Sequence, residues 1–123
     1  MQCDVSHDGD VAVISLQGRL VAGVGDILLR DSVNELLADE RKKILIDLSQ
    51  VTHIDSSGVG ELVASRRIAE RFGARLKLVR AKPDAGVDRV LRMAQILPLF
   101  QMHEDAESAV SSFGEAAAEA DSA

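Results

Sequence analysis

Ile44-Leu45-Ile46-Asp47-Leu48-Ser49-Gln50-Val51-Thr52-His53-Ile54-Asp55-Ser56-Ser57-Gly58-Val59-Gly60 is the stretch on which the fold turns. Its first five residues form a short, β-branched, apolar run between the charged Asp39-Glu40-Arg41-Lys42-Lys43 and the polar Ser49-Gln50. That pattern predicts a strand in the middle of a sheet. Val51-Thr52-His53-Ile54 leads on to Asp55-Ser56-Ser57-Gly58, and a helix is expected from there to about Phe72. Asp55, Ser56 and Ser57 each carry a short side-chain oxygen that can cap the free N–H groups of the first turn. Val59, Leu62 and Val63 are expected on the inner face, with Ile68 and Phe72 as a second contact and Gly73 as the C-terminal cap.

Toward the N-terminus, Val5 and Val11-Ala12-Val13-Ile14-Ser15-Leu16 flank the turn-rich His7-Asp8-Gly9-Asp10, which predicts a β-hairpin reversing at Asp-Gly. The second strand is almost continuously apolar, as a strand buried on both faces requires, and is expected to end at Gly18. A loop over residues 19–25 precedes a helix from about Asp26 to Ala38, where Leu29, Val33, Leu36 and Leu37 make one apolar stripe.

Toward the C-terminus, Arg75-Leu76-Lys77-Leu78-Val79 alternates as a strand does. Pro83 stands just before or at the start of a helix expected from about Asp84 to Ala94, with Val87, Val90, Leu91 and Ala94 on one face. Leu99-Phe100-Gln101-Met102 is a short strand candidate. Asp105 is a candidate N-cap for a last helix with Ala106, Ala109, Val110 and Phe113 inward. The order β-β-α-β-α-β-α-(β)-α gives an α/β fold: a mixed, mostly parallel sheet with about four helices packed on it. Residues 1–113 are expected to form a single domain, and 114–123 a frayed or disordered acidic tail.

Composition narrows the function. The chain of 123 residues is 46% apolar, but its aromatics are only Phe72, Phe100 and Phe113. A formal charge of −6 with so few aromatics supplies neither a phosphate-neutralising surface nor stacking platforms, so direct nucleic-acid binding is not expected. Cys3 is the lone cysteine, and His7, His53 and His103 share no ligand spacing with it or each other. No metal and no cofactor is expected. No run approaches the roughly 18 apolar residues of a membrane span, and residues 1–4 carry no secretory pattern, so a cytoplasmic setting is expected.

Gly-x-Ser-x-Gly and phosphate-loop patterns are both missing, which argues against a serine hydrolase or a nucleotide-triphosphate enzyme. His53 reads as a structural or solvent-exposed residue, and Arg66, Arg67 and Arg71 as a solvated helix face with Glu70 as counter-charge. The loop at 55–60 stands out. Gly58 and Gly60 keep its backbone uncluttered, and a helix N-terminus carries roughly half a unit of positive charge. A hydroxyl held there is suited to receive a phosphate. On spacing alone, the same residues make a capped turn.

Residues 46–60 closely resemble the central signature of STAS domains, which in bacterial anti-sigma factor antagonists reads approximately D-L-S-x-V-x-x-I-D-S-S-G-L-G. Gly18-Arg19-Leu20, Gly73-Ala74-Arg75-Leu76-Lys77-Leu78 and Val90-Leu91-Arg92-Met93 extend the resemblance across residues 5 to 113. It implies a non-enzymatic binding module. Its partner would be an anti-sigma factor that is also a serine kinase of the histidine-kinase-like ATPase fold. Binding would free a sigma factor, phosphorylation of Ser56 would release the kinase, and a PP2C-type phosphatase would reset the cycle. The implied partner surface comprises Asp55, Ser57, Gly58, Val59, Gly60, Arg19, Leu20 and Val21. Antagonists of this kind often read G-E-L-D where this chain has Gly18-Arg19-Leu20-Val21, so the usual acid is replaced by Val21. The alternative reading is a non-catalytic STAS subunit of a stressosome-like or transporter-associated assembly. A small-ligand or nucleotide binder ranks behind both, because 55–60 is the one loop suited to a phosphate.

Overall fold

A computed structural model of the chain describes residues 1–82 and 86–122. The elements are β1 (Gln2–Asp8), β2 (Val11–Leu20), α1 (Gly25–Ala38), β3 (Lys43–Ile54), α2 (Ser56–Arg71), β4 (Arg75–Val79), α3 (Val87–Met93), β5 (Met102–His103) and α4 (Ala106–Ser122). One sheet holds the strands in the order β1-β2-β3-β4-β5. β1 runs antiparallel to β2, and every other pair is parallel. This is the mixed, mostly parallel sheet with four helices that the element order predicts.

The alternation along the strands decides what each face carries. Ala12, Ile14, Leu16, Ile44, Ile46, Leu48 and Leu78 point to one side, where Leu29, Val33, Leu62 and Leu91 of α1, α2 and α3 complete the larger core. Val11, Val13, Leu45 and Val79 point to the other side and are covered by Ala109 and Phe113 of α4. Both faces of β2 and β3 are thus buried, which accounts for their continuous apolar runs.

Two strands run further than the sequence predicts. β2 continues past Gly18, which takes a φ of 101° beside a register shift between Gly18 and Arg19. β3 continues past Leu48, because Val51 and Ile54 are buried and pair with Gly18 and Leu20. The hairpin reverses at Gly9 and Asp10 rather than at Asp8 and Gly9, with Gly9 alone at positive φ, 62°. Glycine at the first central position suits the tight reversals that twisted strands favour.

The buried helix faces also differ from those the periodicity predicts. On α2 the buried residues are Gly58, Glu61, Leu62, Ser65 and Ala69; Val59 and Val63 are only half-buried. α1 packs alongside, and Arg30 Nε donates to Glu61 Oε1 at 2.8 Å, which is how a carboxylate can occupy the inner face. Phe72 is 53% exposed, since the helix has already ended there. Gly73 closes the helix at φ 72°, with Ala74 N–H donating to the Ala69 carbonyl at 2.8 Å. On α3 only Val87 and Leu91 are buried, while Val90 is half-buried and Ala94 exposed. Pro83 and Asp84, expected at the start of that helix, lie outside the described residues. In place of a strand at 99–102 there is a 3-10 turn at Leu97–Leu99, followed by β5.

Lys77 is 3% exposed beneath α4. Its ammonium donates to Ser112 Oγ at 2.7 Å and lies 4.7 Å from the Phe113 ring centroid. The Ser112 hydroxyl donates in turn to the Ala109 carbonyl at 2.6 Å. Asp105 caps α4 as expected, accepting from Ser108 N–H at 2.8 Å, and these bonds hold its carboxyl below the usual carboxylate range.

Candidate functional site

The carboxyl ends of the parallel strands β2 and β3 lie side by side, with Leu20 opposite Ile54. Ligand sites of parallel sheets form beyond such ends. Here the chain leaves β3 at Asp55, which is extended (φ −113°, ψ −175°) and caps α2: Gly58 N–H donates to its Oδ1 at 2.9 Å. The other oxygen accepts from Ala22 N–H at 3.0 Å, in the loop after β2. One carboxylate therefore ties two loops together. These donors, Ala22 first and Gly58 second, hold its carboxyl below its ordinary pKa.

Close approach of the backbone fixes the glycines. A Cβ on Gly58 would overlap the Leu20 carbonyl oxygen and lie 2.8 Å from Ile54 Cγ1. A Cβ on Gly25 would lie 2.7 Å from the Arg19 carbonyl oxygen. The end of β2 is thus gripped between the starts of α1 and α2. Gly60 has open space around it.

Ser56 is the first residue of α2 and is exposed, as is Ser57. Ser56 also stands on the wall of a groove of about 370 Å³, lined otherwise by Val59 of α2 and by Val90, Met93 and Ala94 at the end of α3. Met93 is 77% exposed, the most exposed of the large apolar side chains identified in the fold. A hydroxyl at a helix N-terminus beside an apolar groove can accept a phosphate and can meet an apolar partner side chain. No group of three or more potential metal ligands occurs among the described residues.

A family model of the STAS domain matches residues 2–109. The chain belongs to the STAS domain family. An anti-sigma factor antagonist from Mycobacterium paratuberculosis superposes with a TM-score of 0.76 at 20% identity, covering 90% of this chain and 92% of that one. The Bacillus cell fate determinant SpoIIAA in its phosphorylated form gives 0.69 at 19% identity, covering 91% and 99%. A variant of RsbS from Moorella thermoacetica gives 0.71 at 18%, covering 95% and 98%. The architecture of these proteins is the architecture of this STAS domain.

The STAS fold brings the residues expected at the site to one end of the sheet and gives them different surroundings. Asp55, Ser56, Ser57, Val59 and Gly60 lie at the start of α2; Arg19 is exposed and Val21 half-buried on the neighbouring strand end and loop. Leu20 and Gly58 are buried, Leu20 completely, and lie beneath the surface of the site. Val24 and Ile27, 59% and 45% exposed, add apolar surface at and beyond the Ala22 loop. His53 is exposed and bonded to Thr52 Oγ1 at 2.9 Å, and Arg66 pairs with Glu70 at 3.0 Å. Met93 is not among the residues expected at the site. In the sequence it stands just off the apolar stripe of α3, next to Val90 and Ala94, at the end of the Val90-Leu91-Arg92-Met93 stretch. No helix among the described residues is long and apolar enough to cross a membrane.

Proposed function

We propose that this STAS domain is an anti-sigma factor antagonist switched by phosphorylation of Ser56. Its partner is an anti-sigma factor that is also a serine kinase of the histidine-kinase-like ATPase fold; binding it releases a sigma factor, in the cytoplasm. The chain itself performs no chemistry. The observation that carries this reading is the exposed Ser56 hydroxyl at the N-terminus of α2, on the wall of the groove lined by Val59, Val90, Met93 and Ala94.

The physics of the switch is local. Phosphorylation adds about −1.5 to −2 charges at the groove wall. The positive end of the α2 dipole offsets part of that charge, so the fold need not open. A partner that seats an apolar side chain in the groove then has to desolvate a dianion, and binding is lost. A penalty of about 3 kcal/mol lowers affinity roughly a hundredfold, enough for a switch. A PP2C-type phosphatase would restore the hydroxyl. SpoIIAA, whose fold this chain shares, has been solved in both unphosphorylated and phosphorylated forms.

Calorimetric titration of each candidate kinase with the chain, Ser56→Ala and Ser56→Asp tests the reading. Ser56→Ala is expected to bind as the unmodified chain does, and Ser56→Asp at least tenfold more weakly. Equal affinity of all three would overturn it.

A further inference from the structure

β1 is the long open edge of the sheet. β1 and β5 are its two ends, and β5 has 2 residues against 7 in β1. Cys3 is the one β1 residue that is not exposed. Pairing with β2 runs unbroken from Gln2↔Gln17 to Asp8↔Val11, so no bulge twists the edge away. Gln2-Cys3-Asp4-Val5-Ser6-His7-Asp8 also holds neither Lys nor Pro; its charges are the carboxylates of Asp4 and Asp8, which restrict the registers a second strand can take without closing the edge. Its outward N–H and C=O groups are a template for another strand.

We infer that β1 pairs antiparallel with β1 of a second copy of this chain, about a two-fold axis through Val5, making one continuous sheet. Parity and charge fix that register. A two-fold axis perpendicular to the sheet keeps each face on its own side, so opposed residues must both be odd or both even. Centring on Asp4 sets Asp4 against itself. Centring on Ser6 sets Asp4 against Asp8 on both sides of the axis. Like charges directly opposed destabilise a sheet. Centring on Val5 pairs Gln2 with Asp8, Cys3 with His7, Asp4 with Ser6 and Val5 with itself. Every residue of β1 is then used, and each carboxylate faces a side chain that can donate to it.

The side chains agree with this centre. Cys3 Sγ lies 3.3 Å from Ser32 Oγ, which puts Cys3, Val5 and His7 on the α1 side. Val5 is 43% exposed there, at a groove of about 470 Å³ lined also by Ser32, Glu35 and Leu36. Pairing covers it with its own copy. The interface is a single strand pair, so a weak, concentration-dependent dimer is expected. It does not depend on the reading of Ser56.

Sedimentation equilibrium of the full chain over a concentration series tests the inference. A monomer–dimer equilibrium is expected. Ser6→Asp, which opposes two carboxylates on each side of the axis, should weaken it at least tenfold, and Asp4→Lys combined with Ser6→Asp should restore it. Cys3→Ser with Val5→Cys should form an intermolecular disulfide on oxidation, because opposed residues of an antiparallel pair have Cα atoms about 4.5–5.5 Å apart. A monomer at every concentration, a dimer indifferent to Ser6→Asp, or no Val5→Cys cross-link would overturn the inference.

Discussion

Asp55 accepts a hydrogen bond from the backbone N–H of Ala22 at 3.0 Å, across 33 positions of sequence. Its other oxygen caps α2 through Gly58, so a single side chain sets the loop after β2 against the serine-bearing helix start. Asp55→Ala removes both bonds. We expect it to lower the melting temperature and to weaken partner binding, while Asp55→Asn, which keeps one acceptor oxygen, loses less of each. Thermal melts and titration with the candidate kinase check both; an unchanged affinity in Asp55→Ala would mean that the loop is not part of the interface.

Among the described residues, three carboxyls are held below their ordinary pKa: Asp55 by the Ala22 and Gly58 N–H groups, Asp105 by Ser108, and Asp10 by the Lys43 ammonium. A depressed folded pKa means that the ionised form favours folding. The stabilisation is present above the unfolded carboxyl value of about 3.9 and is lost as pH falls through the depressed folded values. Melting temperature should therefore hold through mildly acidic pH and drop below about pH 4. In Asp55→Asn combined with Asp105→Asn the drop should be shallower; an identical slope would refute the assignment.

The two glycines of the α2 start should respond oppositely to alanine. Gly60 has open space, so Gly60→Ala is expected to stabilise by about 0.5–1 kcal/mol through helix propensity. At Gly58 the new methyl meets the Leu20 carbonyl and the Ile54 side chain, and overpacking of about 1–3 kcal/mol outweighs that gain. Urea unfolding of the two variants measures both, and stabilisation by Gly58→Ala would contradict the packing at the end of β2.

Met93 should matter for binding and not for folding. Met93→Glu puts a charge into the groove beside Ser56 from a side chain that is largely in solvent. Its melting temperature should stay within about 2 °C of the unmodified chain, the scale of a neutral surface change. Affinity for the kinase should fall at least tenfold, about 1.4 kcal/mol. Full affinity would remove α3 from the partner surface.

What was legible in the sequence is what local chemistry dictates. Asp55 caps the residue three positions on, and Gly73 terminates α2 by its own backbone, so both could be read from neighbours alone. The order of strands and helices followed from periodicity, and the STAS signature at 46–60 anchored the rest. Features that depend on distant chain segments were not legible. Glu61 faces inward because Arg30 of α1 reaches it, and Lys77 is buried because α4 brings Ser112 and Phe113 over it. Periodicity alone placed Val90 and Ala94 inward. Only the placing of α3 across the groove from the start of α2 turns that edge into a wall beside Ser56.

The proposed switch stands or falls with phosphate transfer to Ser56. Intact mass and phosphosite mapping, after incubation with ATP and each candidate kinase, test it most directly. A single phosphate is expected on Ser56, absent from Ser56→Ala. Phosphate confined to another residue, or no phosphate with any kinase that binds the chain, would contradict it.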